Sequence, residues 1–252
     1  RIGQRLKDRD GDDVAWFDEW AGEAERIETI GHAEAAKGHA LTAASYLLRA
    51  AHYYHVGERF AQPKTDETQA AYMRGVQAFK NAAGLLTRPR IEHFEVPYEG
   101  TSLPGIIVHA DAAAGRTGKG PVMLFLDGFD VTKEIQYFRG IPDLAARGVS
   151  CLILDGPGNG EAIRFRNLPL HHETERHAGA AYDYLAARPE FDPARIGPAY
   201  EAVGRRIGVF RRDRPLRVPQ VRAVSSVGEI GPGDKAVVAP VLHPGSAVDP
   251  RV

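Results

Sequence analysis

Two short stretches constrain this chain more than any other part of it. Residues 122–126 (Val-Met-Leu-Phe-Leu) and 151–154 (Cys-Leu-Ile-Leu) are apolar at every position, and each runs straight into Asp-Gly. A strand with one face in water alternates polar and apolar residues, whereas a strand apolar on both faces is covered on both sides, as in a parallel sheet. The spacing between them predicts a helix over 132–147, with Thr132 at its start and Gly148 just past its end. Another helix is predicted over about 172–187, and a further strand from Arg195-Ile196-Gly197. Strand, helix, strand, helix, strand specifies a doubly wound α/β sheet.

The residues ahead of these strands follow other periods. Val14, Phe17, Ala21, Ala24 and Ile27 recur at helical steps, as do Leu41, Ala44, Leu47, Leu48, Ala51 and Tyr54 after Gly38. A third helix is expected after Pro63, capped by Asp66 with Gln69, carrying Tyr72, Val76 and Phe79 on its apolar stripe and ending near Thr87 because Pro89 follows. Phe94, Val96 and Tyr98 then alternate with polar residues, Glu99-Gly100 makes a turn, and 103–109 forms a second extended run, which predicts a hairpin.

Charge and composition exclude several function classes. With 32 basic and 33 acidic side chains the net charge is −1, so no global basic excess meets nucleic acid or an anionic membrane. The lone Cys151 excludes a disulfide framework and a cysteine-based zinc site within one chain. Apolar runs of about five residues fall far short of the ~20 that cross a bilayer, no secretory leader precedes the first acidic stretch, and cytoplasmic residence is expected. The average hides a break, however. Residues 197–252 hold eight Arg and one Lys against five acids, seven of the 17 prolines, eleven valines and two leucines, which leaves −5 on the first 196 residues. The expected organisation is therefore a helical segment over 1–88, a sheet over 89–200 and an irregular Arg/Pro/Val-rich tail over 201–252.

Chemistry in such sheets gathers at the carboxyl ends of the strands. In the first loop Gly128 permits a sharp turn that frees the backbone amide of Phe129, between Asp127 and Asp130, to stabilise an oxyanion. The second loop, Asp-Gly-Pro-Gly-Asn-Gly-Glu at 155–161, lacks both the dinucleotide fingerprint and the Walker spacing, so it reads as a pocket-shaping turn and not as a phosphate cradle. His172 and His177 sit roughly 140° apart on a helix, His171 and Glu175 share a face, and the string is read as a solvated helix start; no metal and no cofactor is expected. Tyr53, Tyr54 and His55 either line a pocket or pack within the helical layer; Trp16, Trp20 and Cys151 are expected in cores.

Taken together, residues 127–134 and 155–161, the hairpin motif Pro97-Tyr98-Glu99-Gly100-Thr101, Asp183-Tyr184-Leu185 with Arg188-Pro189, and Asp192-Pro193-Ala194-Arg195-Ile196-Gly197 resemble α/β-hydrolases of the 2,6-dihydropseudooxynicotine hydrolase type. Trp16, Trp20, Gly38-His39, Tyr53-Tyr54-His55 and Gly57-Glu58 resemble the helical cap of the same enzymes, so the likeness covers roughly 12–197. It implies a serine hydrolase: a cap over a mostly parallel core, a Ser nucleophile on a sharp turn after the fifth strand, and an acid and a His on later strands. Phe129 matches the position whose amide helps form the oxyanion hole, and Asp127 stands where many such enzymes carry His. The implied substrates are small acyl or diketone-like molecules, cleaved at an ester or a carbonyl-activated carbon–carbon bond. The implied assembly includes a homodimer among its options.

The chain departs from that pattern where the nucleophile belongs. Gly-x-Ser-x-Gly should follow Ile196-Gly197, yet no Ser occurs between there and Ser225, and the stretches 224–228 and 244–248 each lack a Gly that the elbow requires. A triad of Ser225 or Ser226 with Asp234 and His243 has the right order, but nine residues hardly place acid and base on separate strands. The expectation is thus a hydrolase-family chain, the cap plus the first half of the sheet, inactive as it stands. Its rivals are a noncatalytic helical interaction module, disfavoured by the lack of a fixed repeat period, and nucleic-acid binding by the seven arginines between Arg205 and Arg222, disfavoured by the single interleaved aromatic, Phe210. The family-like sequence is expected to stop near Gly197 through a frame disruption or mis-joining. Translating the other two frames of the coding DNA beyond codon 197 should then reveal a Gly-x-Ser-x-Gly; if neither frame holds one, the tail is genuine.

Overall fold

The structure is a computed structural model and describes residues 2–112, 118–126, 131–200, 210–211 and 214–215. Four helices precede the first strand: α1 (Ile2–Arg5), α2 (Asp13–Ala36), α3 (Ala40–Phe60) and α4 (Asp66–Leu85). Asp12 starts α2 by accepting from the Ala15 amide at 2.8 Å. At α4 the cap is Thr65 with Thr68, each hydroxyl accepting from the other's amide, one residue ahead of the expected Asp66 and Gln69. The apolar stripes of Phe17, Ala24 and Ile27 and of Ala44, Leu47 and Tyr54 are buried, but Val14 and Leu41, each in the first turn of its helix, are 69% and 70% exposed. Trp16 and Trp20 are half-buried along the α2–α3 seam and not in the centre of a core, with Trp16 Nε1 donating to the Val56 carbonyl at 2.9 Å.

Five strands form one mixed sheet in the order β1 (Ile91–Tyr98), β2 (Thr101–Val108), β4 (Ser150–Leu154), β3 (Gly120–Leu126), β5 (Phe191–Tyr200). β1–β2 and β2–β4 are antiparallel; β4–β3 and β3–β5 are parallel. The hairpin closes Tyr98 onto Thr101 through Glu99 and Gly100, both at positive φ (44° and 79°), the two-residue turn whose twist matches a hairpin. A separate antiparallel pair joins β6 (Phe210–Arg211) and β7 (Arg214–Pro215).

The continuous apolar runs are explained by their two faces. Leu152 and Leu154 with Val122, Leu124 and Leu126 enter one core, together with Ala178, Ala181 and Leu185 of α8 (Thr174–Ala186). Cys151 and Ile153 enter the other, with Ile106, Val108, Phe79 of α4 and Ala50 of α3. The three long helices therefore cover one face of the sheet and α8 the opposite one. The helix expected over 132–147 is two helices, α5 (Lys133–Tyr137) and α6 (Ile141–Ala146), because Gly140 turns left-handed between them (φ 84°) and Pro142 suits only a first turn. A short α7 (Gly160–Arg166), unforeseen from sequence, begins at the end of the loop read as a turn, α8 starts at Thr174 and not at His172, and β5 begins at the buried Phe191, ahead of Arg195. No helix among the described residues is long and apolar enough to cross a membrane.

A polar clasp ties the sheet edge to the α8–β5 turn. Arg188 donates to Glu92 at 2.6 and 3.0 Å and to Glu190 at 2.6 Å, while His109 Nε2 lies 2.8 Å from Glu92. Burial alone would raise the Glu92 carboxyl, but Arg188 and His109 outweigh it and hold it at about 2. That value lies below the roughly 4.3 of a free Glu, so the clasp stabilises the fold above that pH and is lost as pH falls towards 2. Glu92→Gln is expected to be less stable than the parent at pH 6 and to lose less on acidification to pH 3. Equal losses in urea-unfolding midpoints would remove the clasp from the acid response.

Candidate functional site

The ends of β3 and β4 lie side by side, Leu126 against Leu154, and the residue directly after β4 is the anchor for the loops beyond both strands. This residue, Asp155, is fully buried: Oδ1 accepts from the Lys133 amide at 2.8 Å, and Oδ2 from Lys133 Nζ at 2.8 Å and the Glu161 amide at 3.0 Å. One carboxylate thus holds the first turns of α5 and α7 at once. Gly160 has φ +46°, and a Cβ there would lie 2.1 Å from the Asp155 carboxyl, so only glycine brings α7 this close.

Lys133 Nζ also donates to Glu161 Oε1 at 2.6 Å and forms an ion pair with Glu134 Oε1 at 2.8 Å. Burial would lower the Lys133 ammonium, but the carboxylates around it hold it well above its usual value. Burial raises Glu134, against the opposing pull of the Lys133 ammonium.

Above this network opens a cleft of ≈ 390 Å³ between α3, α4 and the loops that follow β3 and β4. Its deep end carries His55 and Tyr72, stacked at 4.6 Å and 7°. His55 Nδ1 lies 3.1 Å from Thr132 Oγ1 and 3.9 Å from Glu134 Oε2; burial pushes its pKa down to about 3, so the imidazole is neutral. Arg164 sits 4.5 Å over the Tyr72 ring and grips Glu58 through two bonds of 3.0 and 2.7 Å, with Lys64 Nζ 3.0 Å from the same carboxylate. Those two cations overcome the burial that would otherwise raise Glu58 and keep it ionised. Val131, Ile135 and Ile163 supply apolar walls, and Gly158, Asn159 and Gly160 a turn along one side.

The residues singled out from sequence are scattered by the fold. Asp127, Gly128, Phe129 and Asp130 lie outside the described residues, as do Ser225, Ser226, Asp234 and His243; Val131 and Thr132, next along the first loop, line the cleft. His55 is at its deep end. Tyr54 faces away, donating to Glu28 at 2.7 Å beside a different groove, and Tyr53 packs on Trp20 at 5.0 Å. Within 171–177, the two rings that meet are His171 and His177, 6.0 Å apart, with His171 Nε2 3.0 Å from Tyr98 Oη; His171 precedes α8, so it shares no helix face with Glu175. Sequence reasoning missed Tyr72, Lys133, Glu134, Asp155 and the Glu58–Arg164 pair. The repeated Asp-Gly after both strands pointed at Asp155, but Glu58 and Arg164 are 106 positions apart with no shared motif. Among the described residues Glu92, His109 and Glu190 bring three potential metal ligands within 4.8 Å, but the Arg188 guanidinium already bonds both carboxylates there.

No family model matches the chain. It is similar to alpha/beta hydrolase pydG of Acremonium sp, 31% identical over 233 residues that make up 90% of this chain and 53% of the relative. It is also similar to 20-hydroxy-prefusarin hydrolase FUS2 of Gibberella moniliformis, 31% identical over 189 residues, 73% of this chain and 45% of the relative. Among solved structures it matches 2,6-dihydroxy-pseudo-oxynicotine hydrolase with a TM-score of 0.65 and 26% identity, over 81% of this chain and 54% of that one. The helices, the mixed sheet and these likenesses define the α/β-hydrolase fold class. The chain belongs to the α/β-hydrolase superfamily, and it spans about half the length of the curated relatives it matches.

Removing Lys133 would strand buried carboxylates, so Lys133→Met is expected to cost about 3–5 kcal/mol in urea unfolding. Glu134→Gln should cost less than Lys133→Met, because it removes one of three carboxylates around the ammonium and leaves Asp155 and Glu161 in place. The folded Glu134 binds its proton more tightly than the unfolded chain does, so its contribution falls as pH rises through the usual carboxylate range. Glu134→Gln should flatten that dependence, and a loss as large as that of Lys133→Met would mean that Glu134 is a full partner in the network.

Proposed function

We propose that this chain forms the substrate cleft of a serine-type α/β-hydrolase acting on small acyl or diketone-like molecules, at an ester or a carbonyl-activated carbon–carbon bond. The observation that carries this reading is the position of the cleft, at the carboxyl ends of β3 and β4 under α3 and α4, where open α/β sheets bind ligands. The names of two relatives, a 20-hydroxy-prefusarin hydrolase and a 2,6-dihydroxy-pseudo-oxynicotine hydrolase, support an oxygen-bearing small molecule. In this reading residues 1–88 act as a cap over the core of 89–200, 201–252 stand apart from both, and the Phe129 amide stabilises the oxyanion formed when Ser attacks the carbonyl.

The 252 residues contain no Gly-x-Ser-x-Gly, so the chain is proposed to bind substrate without turning it over. Calorimetric titration with benzoylacetone, an aromatic diketone, should show saturable binding that weakens roughly tenfold or more in Ile163→Trp, which fills the cleft. A fluorophosphonate probe should leave the chain unlabelled. Stoichiometric labelling at any Ser would overturn the missing nucleophile, and binding indifferent to Ile163→Trp would move the ligand out of the cleft.

A further inference from the structure

Most polar groups deep in the cleft are already engaged with one another. Thr132 Oγ1 serves His55 Nδ1 and the Ile135 amide. Arg164 is spent on Glu58 and the Gly160 carbonyl, and Lys64 on Glu58 and the carbonyls of Glu58 and Arg59. His55 Nε2 has no hydrogen-bond partner among the described residues but is shut against α4, since a Cβ on Gly75 would lie 2.6 Å from it. Tyr72 is different. It lines the cleft, its side chain is fully buried, and its hydroxyl makes no hydrogen bond among the described residues.

The ring is held by packing, between the His55 imidazole and the Arg164 guanidinium, so the hydroxyl does not fix its own position. Burial raises the phenol well above its usual pKa, so it stays a proton donor. Burying a hydroxyl with no partner destabilises a fold, and phenylalanine would pack the same site without that penalty.

Resting on the hydrolase reading above, we propose that Tyr72 determines specificity in this cleft, donating a hydrogen bond to a carbonyl or hydroxyl oxygen at the deep end of a ligand whose body is apolar. The matching ligand class is oxygenated acyl or aryl ketones, whose hydrocarbon portion lies along Val131, Ile135 and Ile163.

Two probes of similar shape separate the hydrogen bond from the packing: benzoylacetone, and butylbenzene, which lacks both oxygens. In calorimetric titration the wild-type chain should bind benzoylacetone more tightly than butylbenzene. Tyr72→Phe should weaken benzoylacetone roughly tenfold, the factor that a hydrogen bond of ~1.4 kcal/mol represents, and leave butylbenzene unchanged. Its melting temperature should hold or rise. Benzoylacetone binding unchanged in Tyr72→Phe, equal losses for both probes, or a melting temperature lowered by several degrees would each overturn the assignment, the last because the hydroxyl would then have a partner within the fold. Wild-type chain that binds neither probe overturns the hydrolase reading along with it, whereas a benzoylacetone affinity lost in Ile163→Trp but kept in Tyr72→Phe overturns Tyr72 alone.

Discussion

The architecture around the cleft depends on one buried carboxylate. Asp155 follows the central strand directly and receives two backbone amides and an ammonium, from Lys133 at the start of α5 and Glu161 at the start of α7. Each of these groups alone would be costly to bury; together they satisfy one another and fix where two helices leave the sheet. Helix N-termini favour negative charge, so the same carboxylate offsets the dipoles of both first turns. The cleft walls, from Val131 and Ile135 on one side and Gly160, Ile163 and Arg164 on the other, take their positions from that junction.

A second constraint is the two-sidedness of the sheet. Because neighbouring residues of β4 enter different cores, Leu152 towards α8 and Ile153 towards the helical layer, the strand must be apolar throughout. The helical layer is therefore an integral cover of one sheet face. It carries His55, Glu58 and Tyr72 to the cleft, and Glu58 joins it to α7 through Arg164.

Legibility from sequence followed the range of the interactions. The parallel pair β3–β4, the hairpin and the three long helices were all readable, because each rests on local period and turn chemistry. The single helix expected over 132–147 failed at Gly140, a residue that either ends a helix or sits within one and whose role neighbouring packing decides. The second loop reads from sequence as a structural or pocket-shaping turn, and its Asp155 is not visible there as a hub, because the Lys133 ammonium and amide that it accepts from come from 22 positions away. Of the aromatic trio at 53–55, only His55 enters the cleft; a helix turns each successive residue by about 100°, which sends Tyr54 to the opposite groove.

The sequence by itself determined the three long helices, the hairpin, the parallel strand pair and the class of fold, since hydrophobic period, caps and glycines act over a few residues. It also showed that no Gly-x-Ser-x-Gly lies in these 252 residues. Only the tertiary structure decided which polar groups meet. Glu58 with Arg164, Lys133 with Asp155, and Tyr72 between His55 and Arg164 are partners made by packing a helical layer onto a sheet. Burial leaves His55 neutral and the Tyr72 phenol protonated, while Arg164 and Lys64 keep Glu58 ionised against burial, and no periodicity along the chain carries that information.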